Sequence, residues 1–222
     1  MTDSRSLPYP LGVTPLPEGG AHVAVYSETA DRVWFCLFDG DGDGDAADGT
    51  ERRFELTNRT GHVFHTVVEE ARVGSLYGLR VAGPWDPAAG LRHNEAKLLL
   101  DPYATALHGR FDWGQAVFGH DMDEPETRDD TDSAAAMPRN VIADRDFDWG
   151  SDERPLTALE DTVVYEVHVK GFTRQHPDVP EEIRGTYAGL AHPAAIKHFT
   201  DLGVTAVELL PTHQFVQDSH LE

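Results

Sequence analysis

The sequence has a single cysteine, Cys36, so no internal disulfide can brace the fold. Together with the missing leader noted below, that suits a reducing, cytoplasmic setting. Lysine is almost missing too: only Lys97, Lys170 and Lys197 occur, and arginine supplies the other positive side chains. The two types together number 18 against 39 aspartates and glutamates, a formal net charge of -21 at pH 7. A chain this poor in positive charge lacks the basic footprint that nucleic acids and anionic membranes require, so neither is expected as a partner. A neutral polymer is compatible with it. Long apolar runs are also absent. No stretch of about 18 apolar residues could span a bilayer, and the opening MTDSRSLPYPLG has no apolar core of the signal-peptide kind. P-loop, dinucleotide fingerprint, CxxC and HExxH patterns do not occur, so no nucleotide cofactor and no zinc are expected.

What is present suffices for one large domain or two small ones: 222 residues, of which 40% are apolar. The first half reads as β structure. Ala21 to Tyr26 and Arg32 to Phe38 are short runs rich in valine and aromatics. Arg53 to Leu56, His62 to Val68 and Leu76 to Val81 follow at similar spacing, separated by EGG at 18–20, DGDGDAADG at 41–49, NRTG at 58–61 and VGS at 73–75. Short strands punctuated this regularly predict a β-sandwich over residues 1–110. Alternation along 32–38 sets Val33, Phe35 and Leu37 on one face and Trp34, Cys36 and Phe38 on the other. Residues 111–158 read as a connecting segment, with an exposed acidic loop from Asp121 to Asp132. The run Asp39-Gly40-Asp41-Gly42-Asp43-Gly44 matches the opening of a calcium loop, but position twelve is Thr50 and no helices flank it. It reads as an acidic hairpin loop, with no metal expected.

From residue 159 to 222 the pattern changes. Thr162 to Val169 predicts a strand. Pro193 suits a first helical position, followed by a stripe of Ala195, Ile196, Phe199 and Leu202 and a stop at Gly203. His192 reads as a helix-start residue, while Gly185, Tyr187 and Gly189 shape the long loop before it. Val204 to Leu210 predicts a second strand. Strand, helix, strand is a βαβ unit with parallel strands.

Several segments together resemble isoamylase-type glycogen-debranching enzymes of glycoside hydrolase family 13, the α-amylase superfamily. These are YPLGVT (9–14), LYGLRVAGPWDP (76–87), KLLLDPYATAL (97–107), MPRNVI (137–142), FDWG (147–150), YEVHVKGFT (165–173), RGTYAGLAHPAAIKHFTDLGVTAVELLP (184–211) and HQFVQDSHLE (213–222). His93, Glu95 and Trp34 depart from the residues usual at their positions in that family. The resemblance implies a sandwich like carbohydrate-binding module family 48, followed by the first βαβ unit of a truncated (β/α)8 barrel. It implies hydrolysis of α-1,6 branch linkages in glycogen or its limit dextrin, with branched α-glucan as partner and no cofactor. The catalytic acids are expected downstream of Glu222, so this piece itself is expected to be inactive. A non-catalytic glucan-binding module is the alternative of a different class. Another enzyme of the superfamily, a branching enzyme or a trehalose-forming hydrolase, is the third.

Within this frame Trp34, Trp85, Trp113 and Trp149 are candidates for stacking on sugar rings. Trp34 is the best surface candidate among them, because it alternates away from Val33, with burial against a neighbouring domain as the alternative, and Trp85 is read as structural. His213 and Gln214, just past the second strand, are expected at the rim where barrel enzymes bind substrate. Glu166 and His168 would point with Glu208 into the barrel interior, forming a polar core in which His168 approaches a glutamate.

Overall fold

A computed structural model describes residues 5–39 and 49–221 of the chain. The acidic run at 40–48 lies outside the described residues. Two compact units emerge, one of residues 1–146 with 216–222, the other of residues 147–215. Among the described residues, no helix is long and apolar enough to cross a membrane.

The first unit holds strands β1 (Gly12–Pro15), β2 (Ala21–Tyr26), β3 (Arg32–Phe38), β4 (Glu51–Glu55), β5 (Asn58–Thr60), β6 (Val63–Val68), β7 (Leu76–Ala82), β8 (Trp85–Asp86), β9 (Leu91–Arg92), β10 (Leu107–His108) and β11 (Arg139–Val141). One sheet has the order β1-β2-β6-β5 and the other β10-β11-β7-β3-β4, with every pairing antiparallel. A single buried cluster draws on both. Ala21, Val23, Phe64 and Val68 come from the first sheet, and Val33, Phe35, Leu37, Tyr77 and Leu79 from the second. The expected sandwich is therefore present. β2 and β3 have their predicted bounds because alternation there is unbroken. NRTG, expected as a turn, instead supplies β5, with only Gly61 in the left-handed turn position.

The outward face of the second sheet is covered as well. Trp34, Cys36, Phe38 and Leu76 form a second cluster with Leu98, flanked by Ala134, Met137 and Val141. Gly78 lies opposite Cys36 in the register, and the Leu98 side chain fills the slot above it. Arg80, on the same outward side of β7, is fully buried. Its Nε and Nη2 donate to the two Glu51 carboxylate oxygens at 2.7 and 2.5 Å. Nη2 also meets Asp132 at 2.9 and 3.0 Å, and Nη1 donates to the carbonyls of Glu95 and Ala96. Every face of this guanidinium is thus matched, which a buried charge requires. Arg139 lies beside it, its guanidinium 4.0 Å from the centre of the Phe38 ring.

This outer layer corrects the domain boundaries. Residues 111–146 are not a connector leaving the sandwich: β11 returns to pair with β7, and Asp132 reaches Arg80. The Asp121 to Asp132 loop is largely exposed, as expected, but it is pinned at its end.

The second unit contains β12 (Val164–Val167), α1 (Val169–Thr173), α2 (Tyr187–Leu190), α3 (Pro193–Asp201) and β13 (Ala206–Leu209). β12 and β13 are parallel, with Val164, Tyr165, Glu166 and Val167 beside Ala206, Val207, Glu208 and Leu209. Pro193 starts α3, the His192 ring accepts from the Ala194 amide at 3.3 Å, and Gly203 ends it at φ 71°. α3 buries Ala195 and Phe199. Phe199 stacks on Phe172 at 4.8 Å and meets Tyr165 edge-on at 5.3 Å. The rest of the predicted stripe, Ile196 and Leu202, is exposed. The long loop before α3 is tied down. Thr173 Oγ1 accepts from the Gly185 amide at 2.8 Å, and the Arg184 guanidinium reaches the Val179 and Pro177 carbonyls.

Candidate functional site

The first predicted strand of the second unit stops two residues early. His168 leaves the strand and caps α1, its Nδ1 accepting from the Gly171 amide at 2.9 Å. This corrects the expected polar core. Glu166, His168 and Glu208 are all exposed, and Glu166 sits in register with Glu208, like charge beside like. The reason is that no further layer covers this face among the described residues, so the carboxylates stay exposed. A cavity of about 190 Å³ does lie at the C-terminal ends of the two strands, lined by His168, Lys170, Gly185, Tyr187, Leu210 and Thr212 among others. His213 and Gln214 follow β13, exposed and outside that lining.

Trp34 is corrected too. It keeps only 8% of its surface, beneath the outer cluster, and the Arg32 guanidinium lies 4.5 Å from its ring centre. A sugar ring has no access to it. Alternation correctly set Trp34 away from the inner core, but the layer above it comes from residues 98 and 134–141, which no local pattern linked to β3.

A cavity of about 540 Å³ in the sandwich is built from the ends of predicted strands and from residues 85–120, which no local pattern marked as a site. Val25, Leu79, Val81 and Leu99 contribute apolar surface, and Tyr26, which is exposed, and Trp85 contribute rings. Leu99 is held against the sheet by a reciprocal bridge to Leu79, with N–H to carbonyl distances of 2.8 and 2.9 Å. The polar members of the wall mostly grip backbone. Trp85 Nε1 donates to the Glu126 carbonyl at 2.9 Å and Arg92 Nη1 to that of Pro125 at 3.1 Å. Asn94 Nδ2 donates to the Asp129 and Gly119 carbonyls at 2.7 and 3.2 Å. The buried Lys97 ammonium donates to the Thr131 and Ala116 carbonyls at 2.7 and 2.9 Å. Burial pulls the Lys97 pKa below its ordinary value, opposed by the charge of Asp129. Hydrogen bonds from Thr131 and Gln115 hold the Asp129 carboxyl down at about 2. His93 fits because Gly83 has no side chain: a Cβ there would come 2.8 Å from the ring.

The wall is therefore fixed before any ligand arrives. No aspartate or glutamate is among its lining residues, so it offers neither the general acid nor the attacking carboxylate of sugar-bond cleavage. Its volume lies within the range of roughly 300–1,000 Å³ typical of small-molecule sites. Among the described residues, no cluster of histidine, cysteine or carboxylates is arranged to hold a metal ion. The signal for this site was GPWDP, which carries Trp85 off the end of β7 into the wall.

Comparison with known proteins agrees with this architecture. Residues 10–104 match carbohydrate-binding module 48, the isoamylase N-terminal domain. The chain is 45% identical over 216 residues to the "Glycogen operon protein GlgX homolog" of Mycobacterium tuberculosis, covering 96% of this chain and 29% of that protein. It is 46% identical over 204 residues to the "Glycogen debranching enzyme" of Salmonella schwarzengrund, covering 91% of this chain and again 29% of the relative. The chain thus spans under a third of the length of the curated relatives it matches. Among solved structures, a pullulanase from Paenibacillus barengoltzii in complex with maltohexaose and α-cyclodextrin superposes with a TM-score of 0.63 at 24% identity, over 95% of this chain and 28% of that one. The likeness at that identity concerns the fold. The chain is thus similar to the first part of glycogen-debranching enzymes, and its residues 10–104 match the model of carbohydrate-binding module 48, the isoamylase N-terminal domain.

Proposed function

We propose that this chain is part of an enzyme hydrolysing α-1,6 branch linkages of glycogen or limit dextrin, its sandwich holding branched α-glucan and its second unit beginning a (β/α)8 barrel. The observation that carries this reading is the identity of 45% or more to glycogen-debranching relatives, which runs through both units. Parallel pairing of β12 with β13 across an intervening helix supports a barrel start, because such barrels repeat that unit. The cavity beside His168, Lys170 and Tyr187 lies at the strand ends where barrel enzymes bind substrate, and we assign His213 and Gln214 to the same rim.

Cleavage needs one carboxylic acid to protonate the departing oxygen and one carboxylate to attack the sugar carbon. Neither the sandwich cavity nor the strand-end cavity is lined by any carboxylate, so the part played by these residues is binding and support. In the sandwich, Trp85 and the apolar floor suit the flat face of a glucose ring, while Asn94, His93 and Tyr26 supply polar edges. The same lack of carboxylates favours a second reading, a glucan-binding module that never takes part in cleavage. The expected outcome with the isolated chain is co-sedimentation with glycogen and no release of oligosaccharide from limit dextrin. Released oligosaccharide would contradict the assignment of the acids elsewhere, and failure to sediment with glycogen would contradict glucan binding. Joining the chain to the remainder of a debranching relative separates the two readings: hydrolysis by the joined protein supports the first.

A further inference from the structure

The sandwich cavity does not end at its wall. His120 lines it, and the His120 ring lies 5.9 Å from Phe118. Phe118 lies 6.1 Å from Trp113, and Trp113 4.8 Å from Phe111. Four rings thus run in a row from the cavity along residues 111–120, outside the stretch that matches the carbohydrate-binding module. Trp113 and Phe118 are inclined to each other by only 31°, so they present faces of similar orientation. Phe111 meets Trp113 at 81° and buttresses it edge-on. Trp113 remains 38% exposed, although its indole N–H is fixed by a 2.8 Å bond to the Gln217 carbonyl. A ring anchored through its one polar atom and still exposed loses little freedom when something lies on it.

We infer that this row is an extension of the cavity that holds the further glucose units of an α-1,4-linked chain, so that the sandwich selects long outer chains over short ones. The inference rests on the glucan reading of the cavity. Continuity is what commits the row to that occupant: a chain seated on Trp85 and leaving past His120 meets Phe118 and Trp113 next.

Calorimetric titration of the full chain with maltotriose and with maltoheptaose tests it. The wild type should bind maltoheptaose more tightly. Trp113→Ala should weaken maltoheptaose by about tenfold, the loss of one good ring contact, and leave maltotriose unchanged. Phe118→Leu, which keeps bulk, should repeat the pattern more weakly, with both variants melting within a few degrees of the wild type. Equal wild-type affinity for the two sugars overturns the inference. So does a Trp113→Ala variant that loses both sugars together with its melting temperature, which would make the ring a packing residue. Binding of neither sugar by the wild type would defeat the glucan reading itself and the extension with it.

Discussion

At the scale of single residues, two buried groups control how the sandwich tolerates change. Arg80 has no exposed surface, and its strongest partner, Glu51, is itself mostly buried. Burial works against the Arg80 charge, yet the hydrogen bonds to Glu51 and Asp132 raise its pKa overall. Removing one member of a buried pair strands the other, at a cost of about 3–5 kcal/mol. Arg80→Met should therefore lose about that much in urea unfolding. Asp132 is more than half exposed, so Asp132→Asn should cost below about 1 kcal/mol. Equal losses would show that the guanidinium is not the hub. His65 is the second such group. Its Nδ1 and Nε2 meet Ser6 Oγ at 2.8 Å and Thr60 Oγ1 at 2.9 Å, and His22 acts on it as a neighbouring charge. Burial first, then His22, lowers the His65 pKa below its ordinary 6.5. A base with a depressed folded pKa binds its proton more readily when unfolded. The stability it leaves intact above pH 6.5 is thus eroded as pH falls from there through the folded value. Denaturant midpoints measured from pH 7.5 down to pH 5 should decline, and His65→Gln should flatten that decline. An unchanged slope would remove His65 from the account.

At the scale of elements, β7 shows how tightly the outer layer is keyed to the sheet. A methyl group at Gly78 would sit 2.6 Å from Leu98 Cδ1 and 2.8 Å from its Cγ, and Leu98 is buried. Overpacking of this kind costs about 1–3 kcal/mol. Gly78→Ala should destabilise by that amount, and Leu98→Val introduced with it should recover part of the loss. Full additivity in the double variant would mean the two side chains do not compete. The same element explains what could be read in advance. β2 and β3 were legible because valine and aromatics alternate without a break, and α3 because Pro193 and Gly203 mark its ends. The cover over Trp34 was not legible. It comes from residues 98 and 134–141, joined to β3 only by long-range packing, so alternation could name the face of Trp34 but not what lies upon it. Nor could periodicity foresee that His168 would close a helix cap instead of extending its strand. A ring nitrogen bonded to the Gly171 amide is a local choice that a strand pattern does not record.

At the scale of the whole molecule, the described residues form a sandwich clad on one outer face and a second unit of one parallel strand pair with three short helices. The sandwich buries Arg80 and Lys97 with matched partners, while the second unit leaves Val164, Val207, Leu209 and Leu210 exposed. Only the first arrangement gives a fixed, apolar cavity with a tryptophan in its wall, and on that cavity the functional account depends. Titration of the chain with maltoheptaose, wild type against Trp85→Ala, tests it most directly. The account predicts saturable binding by the wild type and at least a tenfold loss in the variant, roughly 1.4 kcal/mol, with the sandwich still folded by circular dichroism. Equal affinity of the two proteins for maltoheptaose would contradict it.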